Sequence, residues 1–359
     1  MPTPPAVDRA REDACPGVLR LAEAADGSLA RVRLVGGLLS AQGFSALADA
    51  AHDLGDGRVE LTSRGNAQLR GLDADAGPEL GSRLRGAGLW PSQTHERVRN
   101  IVASPLSGLD RVGDVTGAVR ALDEALCASA RLAQLSGRFL FAFDDGRGDM
   151  AALQPDVLVR SSTGDPVGAA LAVAHAFLDE RAEQGSTAWR VAELTGGATR
   201  IYARAGVRPW SPPVLAKPPA AGPFTRVDGR RGIVLAVPLG RLEPAQLRWL
   251  ADHAVEQAAR ITPWRSIVLP LADAAVVSAA AELGFGVTPD SPWSNLSACA
   301  GRPGCAKALA DVQRDARSGL GRWPGRLVHW SGCGRRCGRP ARTEVDVIAT
   351  ESGYVIEGN

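Results

Sequence analysis

Four of the six cysteines fall in one stretch, 299–340, and that clustering constrains the chain more than any other feature. They stand as Cys299-x5-Cys305 and Cys333-x3-Cys337, separated by a helix-like spacer. Soft thiolates brought together select zinc or iron. Structural zinc knuckles place about two to four residues between cysteines, so x5 followed by x3 is unusual for zinc. A cubane is larger than one ion, and wider loops can wrap it. Glycines at 301, 304, 332, 334 and 338 let the backbone pass close to sulfur, where N–H groups stabilise a negative cluster. Arg302, Lys307, Arg335, Arg336 and Arg339 add positive charge nearby. The spacing favours a [4Fe–4S] cluster, ahead of zinc and of unrelated thiols or disulfides. The other two cysteines stand apart. Cys127 falls in an apolar helical pattern and reads as packing; Cys15 precedes Pro16-Gly17 and reads as structural.

Composition bounds what surrounds this site. With 359 residues, 45% of them hydrophobic and 22% charged, the chain has material for more than one globular domain. A net charge of +2 gives no reason to expect a nucleic-acid partner. No apolar run approaches the length of a membrane span, and the opening MPTPPAVDRARED is polar. The expectation is a cytoplasmic protein, in which clustered cysteines favour metal over disulfide.

The pattern upstream repeats. Arg31 to Leu34 alternate as a half-buried strand should, Ser40 can cap a helix bearing Phe44, Leu47 and Ala51, and Val59 and Leu61 alternate in a second strand. The same β-α-β order returns about 200 residues later. Ile233 to Val237 form a strand, Glu243-Pro244 opens a helix with Leu247, Leu250 and Ala254, and 267–269 reads as the closing strand. Thr62-Ser63-Arg64 in the first copy corresponds to Thr262-Pro263-Trp264-Arg265 in the second. Each copy is followed by a longer α/β segment. The first has helices around Val119 to Leu126 and from Asp165-Pro166, with alternating Phe139, Phe141 and Phe143. The second carries the cysteines and ends in a hairpin at 345–356. The proline-rich stretch 208–223 reads as a linker.

The cysteine spacing resembles the cluster motif of the sulfite and nitrite reductases. Three further stretches agree: LTSRGNAQLRGL at 61–72, RNIVASPLSG at 99–108 and GRFLFAFDDGRGD at 137–149. Together they look most like a tetrapyrrole-oxidising branch of that superfamily, the precorrin-3B synthases, from CPGVLR at 15–20 to the last cysteines. The resemblance implies an α+β fold of two pseudo-symmetric repeats, each a ferredoxin-like half-domain followed by an α/β domain. Their implied bounds are 15–75, 76–207, the linker 208–223, 224–285, and a cluster domain at 286–359. It implies Cys299, Cys305, Cys333 and Cys337 as cluster ligands, with a tetrapyrrole against Cys337. It makes Arg64 and Arg99 anion-binding, and guanidinium forks do bind carboxylates bidentately. Thr62, Asn66, Gln68, Arg70, Arg97 and Asn100 lie in the same loops and are expected to add hydrogen bonds. The family's small-anion site carries two lysines one residue apart on a strand; here that strand reads Gly137-Arg138-Phe139-Leu140. Arg138 can replace one lysine; Leu140 cannot replace the other, which speaks against sulfite reduction.

The branch implies O2-dependent hydroxylation of precorrin-3A with lactone formation, on the aerobic route to cobalamin. The substrate would take the family's sirohaem pocket, and sirohaem itself is expected only if the chain is a sulfite or nitrite reductase. The branch also implies a mononuclear non-haem iron, whose usual facial triad takes two histidines and a carboxylate. The histidines are His52, His95, His175, His253 and His329; Asp144, Asp145 and Asp149 of DDGRGD are candidate carboxylates, or simply an acidic turn. No dinucleotide fingerprint or P-loop is present, so electrons come from outside, from a ferredoxin or a flavoprotein reductase. A monomer is expected, because each half can pair with the other. The rival outside the enzymes is a zinc-stapled binding module.

Overall fold

The computed structural model describes residues 13–212 and 214–358. The first copy of the repeat runs β1 (Ala22–Ala24), β2 (Gly27–Val32), β3 (Leu38–Leu39), α1 (Ala41–Leu54), β4 (Val59–Leu61), β5 (Ala67–Leu72) and α2 (Gly77–Gly86). The first strand begins earlier than alternation at 31–34 suggests, because an Ala25-Asp26 turn folds β1 back on β2, pairing Ala24 with Gly27. Ser40 caps α1 as expected, its Oγ accepting from Gly43 N at 3.1 Å. The helix buries Phe44, Leu47, Ala50 and Ala51.

Next come β6 (Ile101–Ala103), α3 (Thr116–Ala128), β7 (Phe141–Asp144), β8 (Val157–Arg160), α4 (Pro166–Glu183) and α5 (Gly197–Ala205). The strands form a parallel sheet in the order β6-β7-β8. All four residues of β7 are buried, on both faces, as in a parallel sheet covered by helices rather than in a half-solvated strand. Phe139, Phe141, Phe143 and Phe177 centre this core. Asp165 caps α4, accepting from Gly168 N at 2.8 Å.

The second copy runs β9 (Gly222–Thr225), β10 (Arg231–Ala236), β11 (Arg241–Leu242), α6 (Pro244–His253), β12 (Ala259–Ile261), β13 (Ser266–Leu269) and α7 (Ala274–Glu282). Glu243 opens α6 in a reciprocal capping box, with its N–H donating to Gln246 Oε1 at 2.9 Å. The strand that follows the helix is β12, not the expected 267–269, which is the next strand of the hairpin. Arg260 in the middle of a three-residue strand hides it from an apolar-run reading. The copies match in detail. Thr62 N donates to Asn66 O at 2.9 Å and Thr62 Oγ1 accepts from Asn66 N at 3.1 Å. Thr262 N likewise donates to Ser266 O at 2.9 Å, and Thr262 Oγ1 accepts from Ser266 N at 3.2 Å.

The two copies exchange strands. One sheet has the order β1-β2-β5-β4-β11 and the other β3-β12-β13-β10-β9, so the short β11 of the second copy joins the first copy's sheet and β3 joins the second's. Arg241 pairs with Glu60 and Leu242 with Val59. Helices α1 and α6 pack together.

The chain ends with β14 (Leu296–Ala298), α8 (Val312–Ser318), β15 (Val328–Ser331), β16 (Val345–Thr350) and β17 (Gly353–Gly358). β14, β15 and β16 are parallel neighbours and β17 returns antiparallel, as the hairpin reading has it. Val312, Val328, Trp330, Val345 and Val347 form the core here. The elements group into two compact units. Among the described residues, one holds 13–17, 32–38, 88–212 and 214–218; the other holds 18–31, 39–87 and 219–358. No helix among the described residues is long and apolar enough to cross a membrane.

Candidate cysteine centre and arginine-walled cavity

β14 and β15 run parallel in register, Ala298 beside Trp330, so their carboxyl ends open on one edge of the sheet. Each end feeds a cysteine pair: Cys299 follows β14, and Gly332-Cys333 follows β15. Crevices at the carboxyl ends of parallel strands are where such sheets hold ligands. The ladder runs one step further, Cys299 N donating to Trp330 O at 2.9 Å. Gly332 N then donates to Cys299 Sγ at 3.1 Å. Glycine is required at 332, because a Cβ there would stand 2.7 Å from that of Ala308. Burial pushes the Cys299 thiol up, the N–H groups of Gly332 and Gly301 pull it down, and the charges of Cys337 and Cys305 raise it again. Past Cys337 the loop is pinned by Arg339, whose Nε lies 2.8 and 2.9 Å from the two Asp346 oxygens.

All four cysteines are free thiols. No three of them bring their sulfurs within 4.8 Å of one another.

Cys299 and Cys337 also line a cavity of about 280 Å³. Its floor is one face of the first sheet, a polar row set by strand register. Glu60 is opposite Gln68 on β5 and opposite Arg241 on β11. Gln68 Nε2 donates to Glu60 Oε2 at 2.8 Å, Arg241 Nη2 to Glu60 Oε1 at 2.6 Å, and Arg31 Nη2 to Gln68 Oε1 at 3.2 Å. Arg70 is buried and gives Nε and Nη2 to the Asp26 carboxylate at 2.9 and 2.8 Å; its Nη2 also reaches Gly304 O, in the cysteine loop, at 2.6 Å. Thr62 and Ser63 form one wall. Arg265 forms another, its Nη2 donating to Gly338 O at 3.3 Å. Four guanidinium groups thus line the cavity against one lining carboxylate, Glu60.

The residues singled out from sequence are divided. Gln68 lines this cavity. Arg64 and Asn66 belong to the turn that supplies Ser63, but neither lines the cavity. Arg99 and Arg138 belong to the other compact unit. There Arg99 is buried and lines a second cavity of about 210 Å³. Its Nε and Nη2 each lie 2.6 Å from an Asp123 oxygen, and Nη1 donates to Leu89 O at 3.3 Å, so its fork is already committed. Arg138 is half-exposed, with its guanidinium 4.8 Å above the Trp189 ring. Leu140 is buried, its N–H donating to Asp156. Arg70, also singled out from sequence, lines the cavity too. Sequence reasoning missed Arg31, Glu60 and Arg241. The signal was their alternation on strands β2, β4 and β11, and only the register brings them together.

Asp144, Asp145 and Asp149 do converge, all buried, and they are the one such carboxylate, cysteine or histidine set among the described residues. No histidine joins them, so a facial triad is not assembled there. Arg147 Nη2 lies 2.6 Å from Asp145 and 3.0 Å from Asp110, and Asp144 accepts from the N–H groups of Gly146, Gly148 and Met150. DDGRGD is thus an acidic turn closed on its own arginine. Burial, reinforced by Asp144 and Asp145 against the Ser104 hydrogen bond, pushes Asp149 up to about 7. His329 is buried under the cysteine strands with Nδ1 2.9 Å from Ser297 Oγ, and burial lowers it to about 4, so the ring is neutral. His253 stacks on Trp249, and His95 bonds Ser129 O through Nε2.

Comparison with known proteins agrees with this architecture. Residues 22–87 match the nitrite/sulfite reductase ferredoxin-like half domain. The chain is 28% identical to a precorrin-3B synthase from Sinorhizobium sp over 383 residues, 96% of this chain and 82% of the relative. It is 26% identical to a ferredoxin–nitrite reductase of Synechococcus elongatus over 403 residues, 92% of this chain and 78% of the relative. The structure of the Mycobacterium tuberculosis NirA protein superposes with a TM-score of 0.72 at 19% identity, covering 92% of this chain and 73% of that one. The fold is that of the nitrite and sulfite reductases.

Proposed function

We propose that this chain, of the nitrite/sulfite reductase superfamily, is a precorrin-3B synthase: an oxidoreductase that hydroxylates precorrin-3A with O2, with lactone formation, in aerobic cobalamin synthesis. The observation that carries the reading is the cavity in which arginines and two of the clustered cysteines face the same space. A reduced tetrapyrrole is a flat polycarboxylate. The arginine side takes the carboxylates at one of its edges, and the cysteine side places the ring beside a redox centre. The similarity to the Sinorhizobium enzyme over nearly the whole chain supports the same choice.

In this reading Cys299, Cys305, Cys333 and Cys337 hold a [4Fe–4S] cluster, which the Gly332 N–H on Cys299 suits. The cluster, when bound, supplies single electrons. The chain's own part is to hold the ring. Arg70 and Arg241 are fixed by Asp26 and Glu60, so their remaining donors are aimed without loss of side-chain freedom. Any second, mononuclear iron has no two-histidine, one-carboxylate set preassembled among the described residues, and no step is assigned to it. Electrons come from a ferredoxin or a flavoprotein reductase, approaching a surface with exposed Arg302, Lys307 and Arg335. The strand exchange completes both sheets within one chain, which supports a monomer, and the reduced thiols suit the cytoplasm.

The test is O2 uptake by anaerobically purified protein given precorrin-3A and a reductant. The reading expects uptake coupled to hydroxylated product, with negligible reduction of sulfite or nitrite. Leu140 favours this over sirohaem-dependent reduction. It is buried, so the cation that a small polyanion needs has no place there. Sulfite or nitrite turnover without O2, in protein carrying sirohaem, would overturn the reading.

A further inference from the structure

The matching turns of the two copies, Thr62 to Asn66 and Thr262 to Ser266, keep only the leading threonine, and one of their differences points into the cavity. Gly65 has φ 63°, and its N–H donates to Thr62 O at 3.1 Å. Arg265 has φ 58°, and its N–H donates to Thr262 O at 3.1 Å. The turn therefore needs a left-handed residue at this place. One copy supplies the residue type that adopts it freely; the other supplies an arginine, which is strained there. Strained backbone outside glycine persists where something else is gained, often at a binding site.

The side chain of Arg265 shows what that is. It runs over Gly240, where a Cβ would stand 2.4 Å from Arg265 Cδ, so the chain leaves a slot for it. It ends at Gly338 O, one residue past Cys337. The other cavity arginines have partners: Arg70 holds Asp26, Arg241 holds Glu60, and Arg31 holds Gln68. Arg265 makes no ion pair among the described residues, and the carboxylate whose charge reaches it, Glu60, is already held by Arg241. A partly buried guanidinium without an ion pair of its own is costly, and a ligand that brings an anion offsets the cost.

We propose that Arg265 is a specificity-determining residue of the cavity, taking one carboxylate of the tetrapyrrole beside Cys337. This rests on the tetrapyrrole reading above. It adds that the second copy of the repeat gives up the unstrained turn of the first in order to place this one cation.

Arg265→Gly restores the first copy's residue and so separates binding from folding. The probe is sirohydrochlorin, a metal-free reduced tetrapyrrole with eight carboxylates, titrated into the cluster-loaded protein and followed by absorbance. Its octamethyl ester is the control. In Arg265→Gly and Arg265→Gln, sirohydrochlorin affinity should fall about ten- to a hundredfold, the loss expected for one charge-assisted bond. The ester should bind wild type and variants alike. The melting midpoint of Arg265→Gly should stay or rise, and the cluster spectrum should be unchanged. Equal affinity in wild type and both variants would overturn the inference and leave the tetrapyrrole reading standing. A lowered midpoint with loss of the cluster would make Arg265 a brace for the Cys337 loop instead, and would also overturn it. Wild-type protein that binds no sirohydrochlorin would bring down the tetrapyrrole reading and this inference with it.

Discussion

Replacing Arg70 with methionine removes the fork that joins the first sheet to the cysteine loop. Three hydrogen bonds go: two to Asp26 at 2.9 and 2.8 Å, and one to Gly304 O at 2.6 Å. Breaking a fully buried ion pair costs about 3–5 kcal/mol. Asp26 keeps 21% of its side chain exposed, so water recovers part of its solvation. The expected loss is about 2–3 kcal/mol, which moves a urea midpoint by about 1 M. Arg70→Lys keeps the charge without the fork and should lose less. Burial opposes ionisation of Asp26, but Arg70 outweighs it and holds the carboxyl below its ordinary 3.8. Its contribution is therefore present above the ordinary value and lost as pH falls through the lower folded one. Arg70→Met should flatten that acid limb. The assay is urea unfolding by tryptophan fluorescence, with iron content measured alongside. A midpoint within error of wild type, with the acid limb unchanged, would refute the view that this pair joins sheet and loop.

Other outcomes follow from the same geometry. Gly332→Ala places a Cβ 2.7 Å from Ala308 and should lower iron retention, whereas Gly334→Ala, with open space around it, should not; iron per chain decides. Asp149, raised to about 7 when folded against 3.8 ordinarily, stabilises fully below its unfolded value, and that stabilisation is lost as pH rises towards 7. Asp149→Asn should make unfolding midpoints flatter between those two values. Leu140→Lys buries an ammonium in a filled core and should cost on the order of 3 kcal/mol without conferring sulfite reduction, checked by thermal unfolding and a sulfite assay.

Much of the fold was legible because it repeats. Ser40, Glu243-Pro244 and Asp165 marked their helices through local capping chemistry, which needs no tertiary context. The exchanged strands Leu38–Leu39 and Arg241–Leu242 were not legible, since two residues carry no periodicity. The spacing of the four cysteines marked them as candidate ligands, and the structure adds that their loops leave the same edge of a parallel sheet. The cavity's polar row stayed hidden for a different reason. Arg31, Glu60, Gln68 and Arg241 come from four strands, and a one-residue slip would send each to the other face. Arg99 stood out by its motif, but its partner Asp123 sits on a helix that no local pattern connects to it. Arg265 was visible as the counterpart of the first turn; its left-handed backbone was not.

The central claim is a cluster-bearing tetrapyrrole oxygenase, and anaerobic purification with iron, sulfide and zinc analysis on the protein used for the optical spectrum tests it most directly. The account predicts about four iron and four sulfide per chain, broad absorption in the visible and no zinc. It also predicts that Cys305→Ser loses the iron, while Cys127→Ala, half-buried on α3, keeps it. A colourless protein with one zinc per chain, or a Cys305→Ser protein with its iron intact, would contradict it.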